Sequence, residues 1–137
     1  MSSREHKAVI RRFVDAVNSR HFDLFHQVFA PDATITFSGA TMACDPQAAR
    51  EIASGWLSVF PDWHLDLVDV VAEDDQVFAR VPWTGTQHGA FLDLPPTGKT
   101  VHVDEMILFR FDGTLVVEAW EVWDEATMRR QLTEAES

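Results

Sequence analysis

A chain of 137 residues with 46% apolar and 24% charged side chains has the length and balance of one globular domain, which excludes extended disorder. Its formal charge of −11, from 22 acidic and 11 basic side chains, repels phosphate backbones and anionic membrane surfaces. Nucleic acid and membrane are therefore not expected partners, and Arg11-Arg12 and Arg129-Arg130 are isolated pairs within helical patterns rather than a basic patch.

The polar start, Met1 to Lys7, lacks the apolar core of a signal peptide, and no apolar run approaches the roughly 18 residues of a membrane span, so a cytoplasmic protein is expected. Residues 4–20 place Val9, Ile10, Phe13, Val14 and Val17 at helical spacing, with Ser3 as the expected cap. A short helix over Asp23 to Phe29 is stopped by Ala30-Pro31-Asp32, and Ala33 to Phe37 reads as a strand. The sole cysteine, Cys44, allows no internal disulfide and reads as a small buried apolar residue. Asp45-Pro46 then opens a third helix that runs to about Phe60, with Ile52, Trp56, Leu57 and Phe60 facing inward.

Four strand-like stretches follow: Trp63–Val71, Gln76–Gln87, Val101–Phe111 and Val116–Trp123. The acidic turn at 73–75 and Asp112-Gly113 separate two pairs of them, and a long Gly/Pro loop lies between the second and third. Asp124 caps a last helix that frays at Glu134–Ser137. Short turns make this meander antiparallel. The order predicts a single α+β domain over residues 1–137, a mainly antiparallel curved sheet wrapped around the long N-terminal helix with a cavity between them.

The segment from Gly85 to Lys99, GTQHGAFLDLPPTGK, resembles a signature of the SnoaL-like polyketide cyclases, which reads approximately G-T-H-x-G-x-F-x-G-x-P-P-T-G-K/R. Phe60-Pro61-Asp62, Leu108-Phe109-Arg110 and Glu118-x-Trp120 agree with the same family, so the likeness runs along about the whole chain. The resemblance implies the cone-shaped fold shared with nuclear transport factor 2-like proteins and ketosteroid isomerases. It also implies proton-transfer chemistry without a cofactor, in which one carboxylate on the last strand acts in an intramolecular aldol closure. The matching position here is Glu121. Gln87 stands where the family usually has histidine, and Glu105 and Ile107 stand where the cyclases carry polar groups that touch substrate. The resemblance thus carries the fold and not the aldol substrate.

The residues themselves point to the same two carboxylates. Alternation puts Val103, Glu105, Ile107, Phe109 and Phe111 on one face, and Val117, Ala119, Glu121 and Trp123 on one face of the next strand. Each row contains a single charge. Inside a pocket such a carboxylate gains a raised pKa, the condition that suits proton transfer at carbon, and of two close together one stays protonated. Against this stands the solvent-facing alternative for either row. Around the pair, Trp56, Phe60, Trp63, Trp83, Trp123, Phe13 and Val17 form an expected apolar wall with Ile107 and Phe109, suited to a flat apolar or polycyclic aromatic carbonyl compound that Gln87 could orient.

His102 and Asp104 fall on the opposite face, so His102-x-Asp104-Glu105 is not expected to hold a metal. Met106, Leu108, Val116, Trp120 and Val122 form a second apolar row there, which predicts a homodimer. The expected activity is that of a cofactor-independent lyase or isomerase with Glu121 and Glu105 as its acid–base pair. Two other readings stand beside it. One is a non-catalytic ligand-binding module. The other is an epoxide-hydrolase-like enzyme, which needs an arginine beside its acids, and Arg80 alternates away from Glu121.

Overall fold

The computed structural model describes residues 2–134. Helix α1 (Ser3–Ser19) starts from Ser2 rather than from the expected Ser3. The reason is Glu5: Ser2 accepts from the Glu5 amide at 3.1 Å while the Glu5 carboxylate accepts from the Ser2 amide at 3.2 Å, a reciprocal cap that Ser3 has no partner to form. Val9, Ile10, Val14 and Val17 of α1 are buried, as their spacing predicts. The helix ends at Arg20, in the left-handed region at φ 65°. A short 3-10 helix (Phe22–Gln27) follows.

Strand β1 (Phe29–Phe37) begins earlier than its alternation suggests, passing Pro31 at a register irregularity where the missing N–H costs no ladder bond. Ser38 and Gly39, both at positive φ, turn it into β2 (Ala40–Ala43), a hairpin the sequence reading did not contain although Ser-Gly is a turn signal. Helix α2 (Pro46–Val59) opens as expected, with the Asp45 carboxylate accepting from the Ala48 amide.

Three of the four expected long strands each break once. Trp63–Val71 divides into β3 (His64–Leu65) and β4 (Asp69–Glu73), and Gln76–Gln87 into β5 (Gln76–Arg80) and β6 (Trp83–Thr86). Val101–Phe111 divides into β7 (Thr100–Val103) and β8 (Glu105–Asp112). The breaks lie side by side, so β3-β6-β7 form a small sheet and the rest join a six-stranded sheet, β2-β1-β9-β8-β5-β4, with β9 at Leu115–Trp123. Single bonds carry the ladder around the corner: Asp66 N–H to the Pro82 carbonyl at 2.9 Å, and Val81 N–H to the Glu105 carbonyl at 2.8 Å. Pro82 has no N–H to offer the flat continuation, which favours the bend where it lies. This corner gives the cone its curvature and makes Glu105 the first residue beyond it.

Pairing is antiparallel throughout except for β1 on β9, which run parallel. A bulge after Arg110, opposite Val117, changes which side of β9 faces in. Val116, expected on the outer apolar row, is consequently buried in the core. Asp124 caps α3 (Glu125–Thr133) by accepting from the Thr127 amide and hydroxyl. The helix stops at Thr133 with Glu134 extended, where the fraying was expected to begin, and the remaining residues of that expectation, 135–137, lie outside the described residues. Among the described residues no helix is long and apolar enough to cross a membrane.

Candidate functional site

The pairing register explains why two glutamates meet. Glu105 opposes Trp123 and Ile107 opposes Glu121, so Glu105 and Glu121 are diagonal neighbours on the inner face of adjacent antiparallel strands. Their carboxyl groups hydrogen-bond to each other, and the Trp83 indole lies beside Glu105. Both line a partly open cavity of about 60 Å³ beneath α1 and α2.

Burial pushes the Glu105 carboxyl well above the usual carboxylate range, with the charge and hydrogen bond of Glu121 adding to it and the Trp83 N–H working the other way. Burial also pushes Glu121 up, to about 7, while its hydrogen bond from Glu105 pulls it down. Two buried carboxyl groups this close cannot both ionise cheaply, so the pair as a unit keeps a proton to higher pH than a free carboxyl does.

Of the residues singled out from the sequence, Phe13, Val17, Trp56 and Trp63 line this cavity with the two glutamates. Phe25, Ile35, Cys44, Ala49, Ile52 and Ala53 complete it, residues that the sequence reading did not place in the site. Ala49, Ile52, Ala53 and Trp56 recur at helical spacing along α2, a signal that was present. Cys44 could be placed only through β2. Burial, with the charges of Glu121 and Asp45, pushes its thiol up to about 12, so it stays a protonated, apolar wall residue.

The remaining residues stand around this wall rather than in it. Phe60 and Trp83 are fully buried against Trp56, at ring-centroid distances of 6.2 and 5.4 Å. Phe109 packs on Phe13, and Ile107 fills the cross-strand place beside Glu121. Trp123 stacks on Phe37 and meets Trp56 edge-on.

Gln87 is placed differently from expectation. It is wholly buried, and its amide holds the 87–99 loop together instead of facing the cavity. Its nitrogen donates to the Gly89 and Leu94 carbonyls at 3.0 and 3.4 Å, and its oxygen accepts from the Thr97 amide and hydroxyl at 3.1 and 2.8 Å. No donor or acceptor is left over to orient a ligand. The glycines beside it are structural too. A Cβ on Gly85 would lie 2.8 Å from that of Phe60, and one on Gly89 only 2.3 Å from the Ser58 carbonyl oxygen.

Arg80 pairs with Asp69 and Asp104 on the outside of the sheet, away from both glutamates. That leaves the cavity wall without the arginine an epoxide-hydrolase-like network requires. His102 and Asp104 are exposed, and among the described residues no group of three His, Cys, Asp or Glu side chains is arranged to hold a metal.

A family model described as SnoaL-like polyketide cyclase matches residues 7–132. The chain is also similar to solved structures. One is AclR of Streptomyces galilaeus, provisionally described as a hydroxylase: 26% identity over 99% of this chain and 85% of that one, TM-score 0.86. Another is IdmH of Streptomyces antibioticus, provisionally described as a polyketide cyclase: 25% identity over 94% and 99%, TM-score 0.81. A SnoaL-like protein of Jannaschia sp. CCS1, at 21% identity over 98% and 95% and a TM-score of 0.87, supports the fold alone. Among curated proteins none matches by sequence.

Proposed function

The chain belongs to the SnoaL-like polyketide cyclase family, and from that premise we propose that it is an acid–base catalyst of the lyase or isomerase type acting on a small apolar carbonyl compound. The observation that carries this reading is the hydrogen-bonded Glu105–Glu121 pair on the wall of an apolar cavity. Burial that raises a carboxyl toward neutral pH makes it an effective base while leaving it easy to reload with a proton. Glu121 takes a proton from the carbon next to the carbonyl, and the C–H electron pair moves toward the carbonyl oxygen as an enolate. Returning that proton to another carbon isomerises the compound, and expulsion of a leaving group in its place makes the reaction an elimination. Glu105 keeps its own proton, donates it as a hydrogen bond to Glu121, and prevents both groups from ionising together. Proton transfer of this kind calls for no cofactor.

Size restricts the ligand. A cavity of about 60 Å³ holds about two waters' volume and is well below the roughly 300 Å³ of common ligand pockets. Even one ring needs more room, since an apolar cavity of about 150 Å³ is the size that takes benzene, so the wall must open on binding, and the polycyclic ligand the aromatic content suggests is further from fitting. A polycycle requires Trp56 and the Phe91 ring stacked on it at 5.8 Å to move.

Hydrogen–deuterium exchange tests the reading without knowledge of the physiological substrate. Small cyclic and aryl ketones in D2O should lose their α-hydrogens faster with the protein than with buffer. Glu121→Gln should slow that exchange on the order of 10²–10⁴-fold with little change in ketone affinity. The rate should climb with pH and reach half its plateau near 7, where Glu121 ionises. No protein-dependent exchange from any ketone, or exchange unaffected by Glu121→Gln, would leave a non-catalytic ligand-binding module as the better account.

A further inference from the structure

An enolate forming in this cavity needs a hydrogen-bond donor at its oxygen, and the acid–base pair does not supply one. The Glu105 O–H is engaged by Glu121, and Trp83, beside Glu105, does not line the cavity. Three buried side-chain polar atoms lack a partner among the described residues: His6 Nδ1, Trp63 Nε1 and Trp123 Nε1. His6 lies away from the cavity, its ring stacked on Phe111 and its Nε2 on the Gly113 carbonyl. Trp123 borders an outer cleft with Asp104, Glu105, Met106, Val122 and Asp124, a cleft that Glu121 does not line, and it is absent from the cavity that both glutamates share. Trp63 alone of the three lines the cavity that holds Glu105 and Glu121, and it is 8% exposed.

A buried N–H without an acceptor destabilises a fold, so its retention calls for a reason. Trp63 is also held in place. Its carbonyl accepts from the Arg20 guanidinium at 2.6 Å, and its amide donates to Phe60 at 3.0 Å. Two residues on, Asn18 pairs with both the amide and the carbonyl of Leu65 at 2.8 Å. The end of α1 thus clamps the backbone that carries the indole.

We infer that the indole N–H of Trp63 is the donor that binds the carbonyl oxygen of the ligand, and that this site selects ketones or aldehydes over hydrocarbons of the same shape. The inference rests on the acid–base reading for its chemistry and extends it to a named anchoring group and a substrate class. Trp63 and the glutamate pair line the same small cavity, and the Trp63 Nε1 is covered in this fold, so a ligand oxygen that opens the wall to reach it brings the carbon beside the carbonyl toward the pair. Negative charge on the oxygen strengthens the bond as the proton leaves, so Trp63 favours the enolate over the bound ketone.

Cyclohexanone and methylenecyclohexane differ only in an oxygen against a CH2 group, and they serve as the probes. In a 15N–1H spectrum, cyclohexanone should move the Trp63 indole signal downfield saturably, whereas methylenecyclohexane should not. The intact protein should bind the ketone on the order of 10-fold more tightly than the alkene. Trp63→Phe should erase that preference while leaving the alkene's affinity nearly unchanged. Should Trp63→Phe disturb folding, 3-benzothienylalanine at position 63 keeps the indole's shape with sulfur in place of the N–H, and it should erase the preference equally. An indole signal that ignores the ketone, equal affinity for the two probes, or a preference that survives the benzothienyl replacement would overturn the anchor. None of these readouts depends on turnover. The exchange rate of Glu121→Gln therefore decides the acid–base reading, and the probe preference decides the anchor.

Discussion

Glu121 and Glu105 carry opposite consequences for activity and for stability. Each is harder to ionise in the fold than in the unfolded chain, so between the ordinary carboxylate range and about pH 7 the native state binds more protons than the unfolded state. Stability contributed by the pair is therefore present at and below the unfolded value and is lost as pH rises toward the raised one. The carboxylates held low by hydrogen bonds, Asp62 at Thr86, Asp93 at Arg129 and Asp124 at Thr127, titrate beneath this window and leave it to the pair. Glu121→Gln cannot ionise. Relative to wild type it should gain stability between pH 5 and pH 7.5, and the difference in melting temperature should grow with pH. Thermal unfolding at half-unit pH steps checks this. A constant difference across the series would mean that Glu121 ionises as freely in the fold as in the open chain. That a single charge in each strand row marks the site was legible from alternation alone. That the two meet was not, because the contact depends on the diagonal register of β8 on β9, and register is a tertiary property.

At the scale of elements, helices and their caps were readable because their signals are local: Asp45-Pro46 and Asp124 act where they stand. The strands were readable in position but not in partnership. Nothing in Trp63–Val71 or Gln76–Gln87 announces a corner except Pro82, and the parallel pairing of β1 with β9 joins segments far apart in the chain. Gln87 shows the same limit, since its alternation with Trp83 was right while its polar atoms answered to a loop whose path is not local. This loop supplies an element-level prediction. Gln87→Leu keeps the volume but strands the Thr97 amide and the Gly89 carbonyl, which should cost about 1–3 kcal/mol. Cleavage by a nonspecific protease within 90–98 should accelerate, while cyclohexanone, bound at the glutamate cavity, should keep its affinity to within about twofold on a still-folded sample. A large loss of ketone affinity without loss of loop protection would return Gln87 to the ligand site.

The whole molecule presents its own asymmetry: one face of the six-stranded sheet closes the cone, and the other remains apolar without cover. Val71, Phe78, Met106, Trp120 and Val122 are exposed there, with Phe78, Leu108 and Trp120 in one cross-strand row. Removing Val116 to the core shortens the expected patch but does not break it, because Phe78 and Val71 extend it on the other side. Of the charges on β4, β5, β8 and β9 beside it, Arg80 pairs with Asp69 and Arg110 with Glu118, while Glu73 and Asp112, in no salt bridge among the described residues, stand at the strand ends and so at its rim. A contiguous apolar row of this kind on a sheet suits self-pairing about a twofold axis, where each copy covers the other's patch. The predicted species is a homodimer. Sedimentation equilibrium at micromolar concentration should give twice the 15.5 kDa of one chain. Trp120→Glu, which puts one charge from each copy near the centre of the contact, should return the mass to that of one chain without altering the far-ultraviolet circular dichroism. Salt gives the argument a second handle. Two chains of −11 each repel one another beyond the contact, and this repulsion is screened by salt while apolar burial is not weakened by it. Dimerisation should tighten between 0.05 and 0.5 M sodium chloride. A wild-type mass of one chain at both salt concentrations would show that the patch is tolerated bare, and weaker association at high salt would point to an interface built on ion pairs instead.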